Sequence, residues 1–283
     1  MQILLTIAYD GTNYAGWQRQ KNGIAVQEKI EDALEILHQR KIFTRTACGE
    51  NRGHMVMPAH SLEAGCGGAE QNNLVGVTNR IVLRAASRTD AGVHAMGQRA
   101  AFFAENLLMP VEKLPLVINA LLPEDISIMA AEIVPEDFHP QFHTTKKTYV
   151  YSFITSPNPL QRRYAVFVPH CPDISAMQEA AAHFIGRHDF AAFCAVGGSA
   201  KTTVREIFAC EVFSQSPGSI SLSVTGSGFL YNMVRIIAGT VLYAGLGKIP
   251  PHSIPQIIAE KNRTKAGKTM PPQGLVLLEV LYE

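Results

Sequence analysis

The sequence predicts an α+β protein built on a largely antiparallel sheet with flanking helices. Three observations predict it. Apolar runs of strand length recur in pairs along the chain. Stretches with the three-to-four-residue spacing of a helix fall between the pairs, not after every strand. These signals also follow a similar order in residues 1–137 and 138–283, which suggests two comparable α+β halves.

Each element follows from its own pattern. Residues 2–9 form a short apolar strand. The loop from Asp10 to Gln20 holds two glycines, Trp17 and Arg19; no Gly-Lys-Ser/Thr follows, so it is not a phosphate-cradling loop. Val26, Ile30, Ala33, Leu34 and Leu37 recur at helical spacing, which predicts a helix over 26–38 whose apolar stripe is core. Strands are expected at 80–86 and 98–104, a helix over 114–122 stopped by Pro123, and a strand at 126–134. In the second half, residues 147–154 alternate, with Tyr149, Tyr151 and Phe153 on one face and Val150, Ser152 and Ile154 on the other. A helix over 174–185 carries Ile174, Met177, Ala181 and Phe184, and strands follow at 204–213 and 219–226. An amphipathic helix over 229–243 places Phe229, Met233, Ile236, Ile237 and Thr240 at helical spacing, and 275–282 closes the chain as a strand.

Composition narrows the class. A chain of 283 residues with a mean hydropathy of +0.06 is long enough to bury a large core, and no apolar run approaches the length of a membrane span. The start lacks the charged and apolar regions of a secretory signal. The five cysteines are scattered and odd in number, so no disulfide framework is expected and a reducing, cytoplasmic setting is. A net charge of +1 shows no overall basic excess. A nucleic-acid site would have to come from local clusters such as Arg19 with Lys21, Lys146 with Lys147, Arg162 with Arg163, Lys201 with Arg205, and the lysines between 261 and 268. Each cluster alone reads as a solvated face.

Residues 40–78 lack apolar periodicity and are far longer than an ordinary connection in a compact domain, so they read as an inserted loop. Cys48, His54, His60 and Cys66 recur there six apart. Two thiolates and two imidazoles suffice chemically for tetrahedral zinc, but the close Cys–Cys and His–His pairs of zinc fingers are missing, and no metal site is expected.

The most informative segment is Ser87-Arg-Thr-Asp-Ala-Gly-Val-His-Ala-Met-Gly-Gln98, which joins the two strands expected at 80–86 and 98–104. A guanidinium and a carboxylate on a turn between strands can be held rigidly, as a reactive group requires, although spacing alone equally suits a solvated turn. The run Arg88-Thr-Asp-Ala-Gly-Val-His94, with Gly97-Gln98 beyond, resembles the catalytic segment of the TruA family of tRNA pseudouridine synthases. Other stretches resemble the family in the same order: Ile7 to Gln20, Val26 to Leu34, Ile118 to Ile126, Phe138-His139, Lys147-Thr-Tyr-Val-Tyr151, Gly186 to Phe193, Thr203 to Ile207, Gly228 to Arg235 with Gly239, and Gly274-Leu-Val-Leu277. The resemblance covers nearly the whole chain outside roughly 40–78.

The resemblance implies a pseudouridine synthase fold: two similar halves sharing one largely antiparallel mixed sheet, with a central catalytic cleft between them. It implies an isomerase that converts uridine to pseudouridine in the anticodon stem-loop of tRNA, at positions 38, 39 and 40, without a cofactor, acting as a homodimer. In that reaction an N-glycosidic bond breaks and the same base returns through carbon. A carboxylate serves by attacking C1′ or by assisting a glycal route, and the sequence does not choose between them. Asp90 matches the catalytic aspartate. Arg235 matches the arginine that pairs with it, and a cation within so apolar a helix would be costly to bury alone. Tyr149 matches the tyrosine whose ring stacks on the base and whose hydroxyl takes part in proton transfer. Arg88 matches the arginine that contacts the displaced nucleotide, which must leave the stem to expose C1′ and C5. Leu275 is expected beside the base and Arg19 among the substrate-binding cations. His94 and His139 read as structural. Gln141 stands where many relatives carry arginine, which removes one expected cation.

Three other readings compete. A non-catalytic RNA-binding scaffold would be expected to lack Asp90, Tyr149 or Arg235, and all are present. A metal module would centre on the insertion. A glycosidase would need a second acid flanking the bond, and Asp90 has no motif-linked acidic partner.

Overall fold

A computed structural model describes residues 1–44, 80–198 and 200–282. The inserted segment and its Cys48, His54, His60 and Cys66 lie outside the described residues, apart from the first few positions. In chain order the elements are β1 Gln2–Tyr9, α1 Val26–Gln39, β2 Arg84–Ala85, β3 His94–Phe103, α2 Leu114–Asn119, β4 Ile126–Val134, β5 Thr144–Ile154, β6 Val166–Phe167, α3 Ile174–Ala182, β7 Gly186–Asp189, β8 Val204–Ser216, β9 Ser219–Gly226, α4 Met233–Gly245, α5 Ile254–Glu260 and β10 Leu275–Tyr282. The architecture is α+β.

The described strands form one sheet in the order β4-β1-β3-β10-β5-β9-β8-β7, with β2 added to β3 and β6 to β5. The opening strand of each half is flanked on both sides by antiparallel neighbours: β1 by β3 and β4, β5 by β9 and β10. The halves meet where β3 lies parallel to β10, paired only at Val276↔His94 and Leu277↔Ala95. This short seam matters for function, because the segment carrying Asp90 enters β3 beside it and Leu275 opens β10 on its other side. One sheet face is apolar and joins the helices in a continuous core, with Ile3, Leu5 and Ile7 from β1, Tyr151 and Phe153 from β5, and Leu277 from β10. On the opposite face Met96, Leu278 and Leu281 remain exposed. Among the described residues, no helix is long and apolar enough to cross a membrane.

The structure corrects several sequence expectations. The strand expected at 80–86 contracts to Arg84–Ala85 because α1 takes its hydrogen bonds: Ile81 N–H donates to Glu35 Oε1 at 2.5 Å and Leu83 N–H to Glu31 Oε1 at 3.1 Å. The next strand starts at His94, not 98, so the turn that holds Asp90 is shorter and stiffer than expected. The helix expected from 229 starts at Met233, because Asn232 adopts a left-handed conformation (φ 60°) that asparagine tolerates. Phe229 therefore lies outside the helix. Nor is α4 amphipathic: Val234, Ala238 and Leu242 are buried as fully as Ile236 and Ile237, because the helix is enclosed on all sides. The helices expected over 114–122 and 174–185 end early, at Asn119 and Ala182. The strand β7 and the short helix α5 lack a clear periodicity and were not expected.

Candidate active site

The segment Ala86–Asp90 is held almost residue by residue. Ala86 N–H donates to Arg99 O at 2.8 Å, and its carbonyl accepts from Lys147 Nζ at 2.6 Å. Ser87 Oγ meets the Tyr149 hydroxyl at 2.9 Å, and Ser87 O accepts from the buried Gln98 amide at 2.7 Å. Thr89 Oγ1 meets the Tyr9 hydroxyl at 2.7 Å, and Thr89 O accepts from Trp17 N–H at 3.0 Å. The loop after β1 thus lies directly against the motif. Gly16 permits that approach: its φ is +100°, and a Cβ there would sit 2.7 Å from Thr89 O. Val93 N–H then donates to Asp90 O at 3.1 Å, closing the turn into β3.

Asp90 faces the first turn of α4. Arg235 Nη1 donates to Asp90 Oδ2 at 3.1 Å and to Asn232 Oδ1 at 2.6 Å, and Arg235 Nε donates to Met270 O at 2.7 Å. Two partners, Asn232 and Met270 O, thus fix the guanidinium that reaches the carboxylate. Its position depends on the strand-like segment 266–270 crossing α4 closely. A Cβ on Gly239 would lie 1.9 Å from Lys268 O, so only glycine lets that segment, and with it Met270 O, come near enough. Asp90 Oδ1 accepts no hydrogen bond from the described residues, so one carboxylate oxygen is anchored and the other is open.

The space in front of Asp90 is a cleft of about 1030 Å³. Its lining includes Arg88, Tyr149, Phe229 and Leu275 around Asp90, and Asp90 is the sole carboxylate among the described lining residues. Tyr149 is 5% exposed and its ring meets Phe229 edge-on, at 5.2 Å and 86°. Burial pushes its phenol up to about 12; the Ser87 hydrogen bond opposes this, and the Asp90 charge adds to it. The hydroxyl is therefore protonated at neutral pH.

The structure brings Asp90, Tyr149, Arg88 and Leu275 to the wall of this cleft, with Arg235 paired to Asp90 behind it. Arg88 is exposed and makes no hydrogen bond or ion pair with the described residues. Leu275 is buried at the start of β10, paired with Tyr151. Arg19 also lines the cleft, but its guanidinium meets Glu31 at 3.1 Å, Glu28 at 3.1 Å and Asp32 at 3.3 Å, which ties the loop to α1 and neutralises its charge. His94 is buried away from the chemistry. Its Nδ1 accepts from Gly11 N–H at 3.0 Å, and its Nε2 lies 2.8 Å from Arg163 O. His139 and Gln141 stand at the cleft wall, where burial and then the Arg84 charge lower the His139 pKa.

Sequence reasoning missed the parts played by five residues. From sequence, Lys147 reads as half of a surface pair at the start of a family-like stretch, yet it is buried in the cleft wall. Its signal was period two: Lys147 and Tyr149 share a strand face. Asn232 and the Tyr9–Thr89 pair had no local signal, because their partners are distant in sequence. Phe229 was assigned to a helix stripe. Among the described residues, no group of three or more His, Cys, Asp or Glu is placed to hold a metal ion.

Comparison with known proteins gives the family. A family model described as tRNA pseudouridine synthase matches residues 5–143 and 180–283. The chain is 44% identical to a tRNA pseudouridine synthase A of Ruminiclostridium cellulolyticum and 40% identical to one of Caldicellulosiruptor bescii, with 99% of each chain covered in both cases. It is 37% identical to the Bacillus subtilis protein of the same name over the full length of both.

Proposed function

The chain belongs to the tRNA pseudouridine synthase family, and on that premise we propose that Asp90 is the nucleophile of a uridine-to-pseudouridine isomerisation in the anticodon stem-loop of tRNA, at positions 38, 39 and 40. The observation that carries the nucleophile is the state of the carboxylate: one oxygen held by Arg235, the other without a hydrogen bond from the described residues, and no other carboxylate in the described cleft lining. The free oxygen attacks C1′ as the N1–C1′ bond breaks. The detached base turns within the pocket, and C5 then displaces the carboxylate from C1′. The C5 proton leaves and N1 gains one, so the reaction balances without a redox partner.

The remaining roles follow from placement. Tyr149 offers a neutral ring as a stacking surface, and its protonated hydroxyl, beside Ser87, can relay a proton. Leu275 closes the apolar side of the base pocket. Arg88, with no hydrogen bond or ion pair to the described residues, grips the RNA where the uridine has left the stem. Arg19 holds the cleft wall through α1, adding little net charge of its own. Residues 1–137 contribute Asp90 and residues 138–283 contribute Arg235 and Tyr149, so the reading treats the two halves as joint owners of the site. It also includes a homodimer, testable by sedimentation, and a reducing cytoplasm, which suits the free Cys171, Cys194 and Cys210. A hydrolase reading is disfavoured because a second flanking acid is absent from the described lining.

The test is tritium release from unmodified tRNA labelled at C5 of uridine, with D90A in parallel and the modified positions mapped. Release by the wild type, none by D90A, and modification at 38, 39 and 40 is the expected result. Release by D90A would overturn the nucleophile; modification elsewhere would overturn the position assignment.

A further inference from the structure

Lys147 on β5 is 8% exposed and forms no ion pair with the described residues. An ammonium carries three donors, and among the described residues one reaches a protein acceptor, Ala86 O at 2.6 Å. Burying a cation without a counter-charge is costly, and a methionine of similar shape would avoid that cost. The acceptor suggests why a lysine is there. Lys147 and Tyr149 lie two apart on one strand face and hold consecutive residues, Ala86 and Ser87, just before Asp90. The two bonds act as rungs between β5 and the segment that carries the carboxylate, and the one from the ammonium is charge-assisted and stronger. β10 separates β5 from β3 in the sheet, so strand pairing does not join them directly at this level.

We infer that Lys147 is a positioning residue whose charged ammonium fixes the Ala86–Asp90 segment against β5 and so sets the spacing between Asp90 and Tyr149. The inference rests on the reading of Asp90 as the catalytic carboxylate. The charged and titratable groups sharing the cleft wall are Arg205 on β8, Arg84 on β2, Arg19 in the loop after β1, His139 before β5, and Arg88 and Asp90 in the motif, with Tyr149 on the same strand. Burial, and then the Arg205 charge, lower the Lys147 pKa to about 8. The ammonium is therefore present at neutral pH and lost in mild alkali.

The experiment is single-turnover isomerisation of unmodified tRNA by the wild type, K147M, K147R and D90A between pH 6.5 and 9.5, with tRNA affinity measured in parallel. K147M is expected to slow the step by about 10- to 100-fold, as small displacements of a reacting group do, with tRNA affinity within about threefold of wild type. K147R, which stays charged and can extend into the cleft, is expected to keep most of the rate. Above pH 8 the wild type should lose rate relative to K147R, whereas titration of the RNA affects both alike. Three results would overturn the inference: K147M at the wild-type rate, parallel pH profiles for wild type and K147R, or a K147M defect confined to tRNA affinity. If K147M does not fold, the comparison of wild type with K147R decides alone. Activity in D90A would instead overturn the Asp90 reading.

Discussion

Two guanidinium–carboxylate clusters stand on the walls of one cleft, and they are built to opposite ends. At Arg19, one cation meets three carboxylates from α1, and Glu31, the most buried of them, also accepts from Gln27 and from Leu83 N–H. At Arg235, one cation meets one carboxylate, and its other donors go to Asn232 and Met270 O. In the first cluster the acids are satisfied and the cation is surrounded. In the second the cation is held by three acceptors and the acid keeps an open oxygen. The same pair of functional groups thus fastens a loop in one place and poises a reactive carboxylate in the other. The difference lies in the stoichiometry of partners, not in the residue types.

Breaking the second cluster should have the largest effect. R235M leaves Asp90 unpaired and Met270 O unsatisfied, and should lower the single-turnover rate by about 10²- to 10³-fold, as loss of a charged anchor in a preorganised site does. Stability should also fall, by about 1–3 kcal/mol, because the pair is partly shielded from water. A fall in stability alone would mean that Arg235 merely braces α4.

Lys147, a third cation in the same wall, extends the comparison because it has no carboxylate. Its folded pKa, about 8, is depressed below the ordinary 10.5 of the unfolded chain. Between those values the unfolded state binds the proton more tightly, so stability rises with pH. Relative to K147M, the wild type should gain about 2 kcal/mol between pH 7 and 10, read from urea unfolding at each pH. A pH-independent difference would show that the amine is not buried in its charged form.

Y149F keeps the ring and its contact with Phe229 but removes the bond to Ser87, and should slow isomerisation by about 10-fold. The phenol is held protonated up to about 12, so the Y149F deficit should be constant from pH 6 to 9. A deficit that grows with pH would assign the tyrosinate a role. The smallest effect is expected at the first cluster. R19Q should cost about 1 kcal/mol in unfolding, as for a partly exposed network. A larger effect on tRNA affinity than on stability would make Arg19 a direct RNA ligand.

Much of this molecule was legible in its sequence where the signal is local. The apolar runs of β1, β4 and β9 and the stripe of α1 needed only their own residues, since period two and period 3.6 report which side of an element is buried. The motif around Asp90, with Tyr149 and Arg235, was identifiable from residue order. The failures are equally physical. α4 was read as one-sided because Phe229 fell in register, whereas the left-handed Asn232 ends that register and neighbours enclose the helix. The strand at 80–86 was overcalled because carboxylates of α1 capture the amides a sheet would have used.

By itself, the sequence determined most of the elements, the reactive residue types and the family, because each depends on short stretches and their order. Only the tertiary structure decided which cation stays free, which is neutralised and which is buried. Arg19, Arg88, Lys147 and Arg235 look alike in composition. What separates them is the set of partners brought to each across tens to more than a hundred residues of chain, and only folding supplies those partners.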